Sequence, residues 1–132
     1  MPVEPAEGAG ESRDRSIYVI EVAPRMFPDA DPSMATEGYL YVGWTKNSHE
    51  YRLAQHMNAD EIAATTFKDM VEALGRPLRE DEAWLRPDLV TEKPTGDSEG
   101  QANRAERRQA KQLENQGFRI ISRHKHGMKK TS

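Results

Sequence analysis

Apolar and polar residues alternate with a period of two in two stretches of this chain and recur every three or four residues in three others. SIYVIEV, residues 16–22, places Tyr18, Ile20 and Val22 on one face and Ile17, Val19 and Glu21 on the other, which predicts a strand. GYLYVGW, residues 38–44, repeats the pattern, with Tyr39, Tyr41 and Gly43 on one face and Leu40, Val42 and Trp44 on the other. The two strands are expected to pair antiparallel. Between them APRMFPDADPSMATE carries three prolines and several turn formers, so it reads as a long irregular connection.

Beyond Trp44 the period changes. Thr45, Asn47 or Ser48 can cap a helix of about three turns that has Glu50 in its first turn. Leu53, Ala54 and Met57 share one side of it, and Arg52 and His56, four residues apart, project together from another. Asp60 to Leu74 predicts a second helix, with Ile62, Ala63, Phe67, Met70, Val71 and Leu74 as its apolar stripe and Gly75 as its stop. Leu85, Leu89 and Val90 mark a short strand, which Pro87 confines to a sheet edge. After the turn-rich KPTGDSEG, the segment QANRAERRQAKQLENQG predicts a helix closed by Gly117, with Ala102, Ala105, Ala110 and Leu113 inward, and FRIIS a last strand. The order β, β, α, α, β, α, β predicts an α+β domain over residues 16–122, a small three- to four-stranded mixed or antiparallel sheet flanked by helices. Residues 1–15 have little to bury and are read as a disordered tail, and residues 123–132 as a basic mobile one.

Composition narrows the chemistry. At 132 residues the chain suits one domain with a modest core. It has no cysteine, which excludes a disulfide-linked partner, a thiol nucleophile and cysteine-based zinc sites. No apolar run is long enough to span a bilayer and Met1 to Arg15 lacks the apolar centre of a secretory signal, so a soluble, cytoplasmic protein is expected. The net charge of -3 hides an asymmetry. Residues 1–100 hold 10 basic and 20 acidic side chains, whereas residues 101–132 hold 9 basic and 2 acidic ones. The last quarter can therefore contact a polyanion, or it is a solvated charged helix and tail.

SIY in the first strand, then YLYVG, a threonine two residues on, and RLAQH in the next helix together resemble the GIY-YIG nuclease family, from Ser16 to about Phe118. Ser16-Ile17-Tyr18 and Tyr41-Val42-Gly43 stand at the two triplets, with Ser16 in place of the first glycine and Val42 in place of isoleucine. Thr45, Arg52 and His56 follow in the family's order, and Glu106 occupies the place of its glutamate. Each triplet alone is weak; the ordered combination carries the resemblance.

What the resemblance implies is a metal-dependent endonuclease that hydrolyses DNA with one Mg²⁺ or Mn²⁺. Tyr18 would be the general base or water positioner, with its phenol pKa of about 10 lowered by a cation. Tyr41 would orient water or phosphate, Arg52 would fork onto phosphate oxygens, and His56 would support the nucleophilic network or transfer a proton. Glu106 would hold the metal, with water and phosphate completing the shell. Gly43, Thr45 and Lys46 beside the second triplet, and Arg104, Arg107, Arg108, Lys111 and Lys125 in the basic end, are the residues expected to touch nucleic acid. A homodimer or a partner protein would supply specificity that so small a surface lacks. Taken singly, each residue has a plainer role in packing, solvation or ion pairing. The competing expectation is a module that keeps the nuclease-like fold, with little or no catalysis, and holds nucleic acid or a protein partner.

Overall fold

In a computed structural model of the protein, residues 14–27 and 38–121 are described. Residues 1–13 of the expected N-terminal tail, the expected C-terminal tail with Lys125, and most of the connection after the first strand lie outside them. Arg15, expected in the tail, already belongs to the fold: its N–H donates to Gly96 O at 2.8 Å and its carbonyl accepts from Thr95 N–H at 2.9 Å.

The sheet has four strands. β1 is Ser16–Val22, β2 is Gly38–Thr45, β3 is Ala83–Leu85 and β4 is Phe118–Ile120, in the spatial order β3-β1-β2-β4. β1 pairs antiparallel with β2, from Ser16 opposite Thr45 to Val22 opposite Tyr39. β3 adds antiparallel to β1, and β4 runs parallel to β2 along Gly38 to Leu40. The mixed sheet carries α1, His49–Met57, α2, Thr65–Leu74, and α3, Glu99–Asn115. This is the expected α+β architecture.

The alternation along β1 and β2 decides where the helices go. Tyr18, Ile20, Val22 and Tyr41 pack on one face with Phe67 and Met70 of α2, and Leu53 and Met57 of α1 lie against them. Ile17, Val19, Leu40 and Val42 pack on the other with Ala105 and Leu113 of α3 and Ile120 of β4. Both faces are thus covered. Each fully buried Leu, Ile or Phe side chain contributes roughly 1.5–3 kcal/mol of transfer free energy, so neither layer is dispensable.

Ser48 is the residue that caps α1, its Oγ accepting from Tyr51 N–H at 3.1 Å. The second helix starts later than its sequence predicts, at Thr65 rather than Asp60. The reason is tertiary: Ile62 O accepts from Arg52 Nη2 at 3.0 Å and Ala64 N–H donates to His56 Nδ1 at 3.2 Å. Side chains of α1 hold the 60–64 segment in turns. Ile62, assigned to the apolar stripe, is 57% exposed as a result. The strand expected across Leu85 to Val90 is confined to Ala83–Leu85, and a 3-10 turn at Pro87–Leu89 follows it. Proline has no N–H to extend the ladder. Among the described residues no helix is long and apolar enough to cross a membrane.

Candidate active site

The two triplets meet at the middle of the β1–β2 pair, but not tyrosine to tyrosine. Tyr18 lies opposite Gly43, and Tyr41 lies opposite Ile20. Their rings approach diagonally, 6.2 Å apart between centroids and tilted by 37°. Gly43 makes this possible, because a Cβ there would sit 2.6 Å from Tyr18 Oη and 2.8 Å from its Cζ. The space beside Gly43 is filled by the phenol of Tyr18, whereas the sequence had pointed to substrate.

α1 delivers the next two groups from successive turns. His56 Nε2 lies 2.9 Å from Tyr18 Oη, and Arg52 Nε donates to the same oxygen at 3.3 Å. Because His56 Nδ1 accepts from Ala64 N–H at 3.2 Å, the imidazole proton resides on Nε2 and points at the phenol. Two N–H groups therefore converge on one phenol oxygen, an arrangement that stabilises negative charge there. The rest of Arg52 is engaged inside the protein, Nη1 donating to Gln55 Oε1 at 3.1 Å and Nη2 to the Ile62 carbonyl at 3.0 Å. Phe67 of α2 backs the cluster, 4.6 Å from the His56 ring and 5.3 Å from that of Tyr41.

The cluster is closed. Tyr18 is 1% exposed, Tyr41 1% and His56 0%; Glu106, 4% exposed, belongs to α3, whose Ala105 and Leu113 pack on the other face of the sheet. Burial pushes the Tyr18 phenol well above its ordinary range, negative charge on the Tyr41 phenol oxygen or on Glu106 acts in the same direction, and Arg52 opposes them. The phenol is thus protonated at neutral pH as the chain stands. Glu106 faces inward from α3 together with Ala102, Ala105, Gln109 and Leu113. A hard dication prefers oxygen ligands, and this buried carboxylate supplies one. Among the described residues no group of three His, Asp or Glu could hold an ion unaided. Any Mg²⁺ or Mn²⁺ there would have this one carboxylate and would take its other ligands from water and phosphate.

The residues expected to touch nucleic acid divide. Thr45 is buried, and its Oγ1 accepts from Asn47 N–H at 3.0 Å, stabilising the turn before α1. Lys46 pairs with Asp97 at 3.5 Å. Arg104, Arg107, Arg108 and Lys111 line one open depression on the outer side of α3, away from the tyrosines. Arg108 also pairs with Glu92 at 2.8 Å.

Sequence reasoning missed Gln55, which seats Arg52, and a second histidine. His49 Nε2 lies 2.8 Å from Ser16 Oγ, and its ring is 5.8 Å from that of Tyr18. Partial burial lowers its pKa, so it is predominantly neutral at neutral pH. The available signal was the serine at the head of the first triplet, whose hydroxyl needs a partner. No protein-family model matches the chain, and no curated protein and no solved structure matches it either.

Proposed function

We propose that the chain is a GIY-YIG-type nuclease acting on DNA in the cytoplasm, with chemistry centred on Tyr18. The observation that supports this reading is the convergence of Arg52 Nε–H and His56 Nε2–H on Tyr18 Oη. A tyrosine retained only for packing needs one partner at most, and here a neutral donor and a cationic one are both fixed on the oxygen that would become a phenolate. In this reading the phenol, which burial holds protonated, would give its proton to solvent water when substrate opens the site, and Oη would then accept the proton of the attacking water. Arg52 and His56 hold the charge at that atom. His56 acts as a donor and not as a base, since its Nδ1 is already accepting from Ala64. Tyr41, against both the Tyr18 and His56 rings, fixes their orientation. Glu106 is the residue that would hold Mg²⁺ or Mn²⁺, and the ion would absorb charge on the phosphate.

The competing reading, a binding module without catalysis, draws on the burial of Tyr18 and on the three Arg52 donors already engaged. Nicking of supercoiled plasmid with Mg²⁺ or Mn²⁺ separates the two. The nuclease reading expects activity in the wild type that falls on the order of 100-fold in both Tyr18→Phe and Glu106→Gln. Equal background in all three proteins would leave the binding module.

A further inference from the structure

The cations of α3 and the carboxylate of α3 serve different sides of the molecule. With 3.6 residues per turn, Arg104, Arg107 and Lys111 fall within an arc of about 60° and face away from the row made by Ala102, Ala105, Glu106, Gln109 and Leu113. The structure agrees: the first three are exposed, and the row is buried. Glu92 neutralises Arg108, while Arg104, Arg107 and Lys111 have no acidic partner within 4.0 Å among the described residues. The three line the same depression, whose remaining walls include the neutral amides of Gln112 and Asn115.

We infer that this outer stripe is a docking surface for the phosphodiester backbone of nucleic acid, separate from the tyrosine cluster, so that the segment held and the segment presented to Tyr18 are different. The dimensions support the assignment. From residue 104 to residue 111 the helix rises about 10 Å, and one strand of a duplex carries a phosphate about every 3.4 Å of axis, so about three phosphates face three uncompensated cations. Arginine forks and amide groups bind phosphate oxygens directly, without reading sequence. Between Arg104 and Lys111 the helix adds no acidic side chain to this face, since Glu106 is turned inward; Glu92, on Arg108, and Glu114, one turn beyond Lys111, bound the stripe. The helix itself, about 10–12 Å across with its side chains, stands between the stripe and the Glu106 carboxylate. Docking on the stripe therefore does not require the buried cluster to open, and the inference holds whether or not Tyr18 takes part in hydrolysis.

The experiment measures binding alone. Fluorescence anisotropy of a labelled 20-base-pair duplex of arbitrary sequence, in EDTA and across a salt series, is compared for wild type, Arg79→Gln and the triple variant Arg104→Gln/Arg107→Gln/Lys111→Gln. At about 0.9 counterions released per phosphate contact, the triple variant should lower the slope of log affinity against log salt by about 2.7. That corresponds to an affinity loss of about 500-fold at 0.1 M if the curves converge at 1 M. Arg79→Gln, an exposed cation beyond α2, should leave slope and affinity nearly unchanged. An unchanged slope in the triple variant overturns the assignment, and an equal loss in Arg79→Gln overturns the placing of the contact on this stripe. Displacement of the duplex by polyglutamate as effectively as by unlabelled duplex would make the partner an acidic protein and overturn the nucleic-acid reading. A triple variant that loses binding but still nicks plasmid at high concentration would show that docking and cleavage are independent.

Discussion

Replacing Gly43 by alanine tests the central geometric claim, that the phenol of Tyr18 occupies the space over that residue. Two effects oppose each other. A glycine with ordinary extended backbone becomes more stable on substitution by about 0.4–1 kcal/mol, because the unfolded chain loses freedom. Against this, the new Cβ would lie 2.6 Å from Tyr18 Oη and 2.8 Å from its Cζ. The ring has no easy retreat, being held by His56 and Arg52 at its oxygen and by His49 and Tyr41 around its plane. Overpacking a rigid core costs about 1–3 kcal/mol, and loosening either hydrogen bond adds about 1 kcal/mol. The steric effect wins, for a net loss of about 2 kcal/mol and a fall in Tm of about 8 °C, taking about 4 °C per kcal/mol for a domain of this size. Calorimetry or thermal circular dichroism reads the shift. The same substitution in a Tyr18→Leu background should be neutral or slightly stabilising, since the clashing atoms are gone. If Gly43→Ala costs the same in both backgrounds, the phenol is not what fills that space.

His56→Ala should be costlier, about 3 kcal/mol by urea unfolding, because it opens a cavity against Phe67 and strips a partner from both Ala64 N–H and Tyr18 Oη. His49→Ala, partly exposed, should cost less than about 1 kcal/mol, and equal losses at the two histidines would refute the description of the cluster. Glu82, hydrogen-bonded by Arg76 at 2.7 and 2.9 Å and by Arg79 N–H at 2.8 Å, has its pKa held down to about 2, with the Arg76 bonds the larger cause. Its folded pKa lies below the ordinary carboxyl value of 4.5, so its contribution is complete above that pH and is lost as pH falls toward 2. Urea midpoints between pH 5 and 2 should therefore fall less steeply in Glu82→Gln than in wild type, and parallel curves would count against the pairing.

What the sequence revealed and what it concealed follow from the range of the interactions. The faces of β1 and β2 were readable because a period of two assigns every side chain to a side, and Tyr18, Ile20 and Val22 fall in one layer, Leu40 and Val42 in the other. The cap at Ser48 and the stops at Gly75 and Gly117 were readable because each is local chemistry. The start of α2 was not, because Arg52 and His56 claim backbone groups of residues 62 and 64 that propensity assigns to a helix. In the candidate site the sequence brought together Tyr18, Tyr41, Arg52 and His56, and their contacts agree with that grouping. It did not indicate that Gly43 yields its space to Tyr18, that Arg52 is tethered by Gln55, or that the basic residues of α3 turn away from Glu106, since each depends on which strand or helix side lies opposite.

β4 joins the sheet beside β2, pairing Phe118 with Gly38 and Ile120 with Leu40 across some 80 residues of intervening chain. During synthesis β1 and β2 are complete long before Leu113 and Ile120, which cover Ile17, Val19, Leu40 and Val42. At about 5–20 residues per second, that apolar sheet face waits bare for roughly 3–15 seconds on the ribosome. A chain interrupted within α3 would carry a finished strand pair with one side uncovered, a form suited to association with other chains and not to closure on itself.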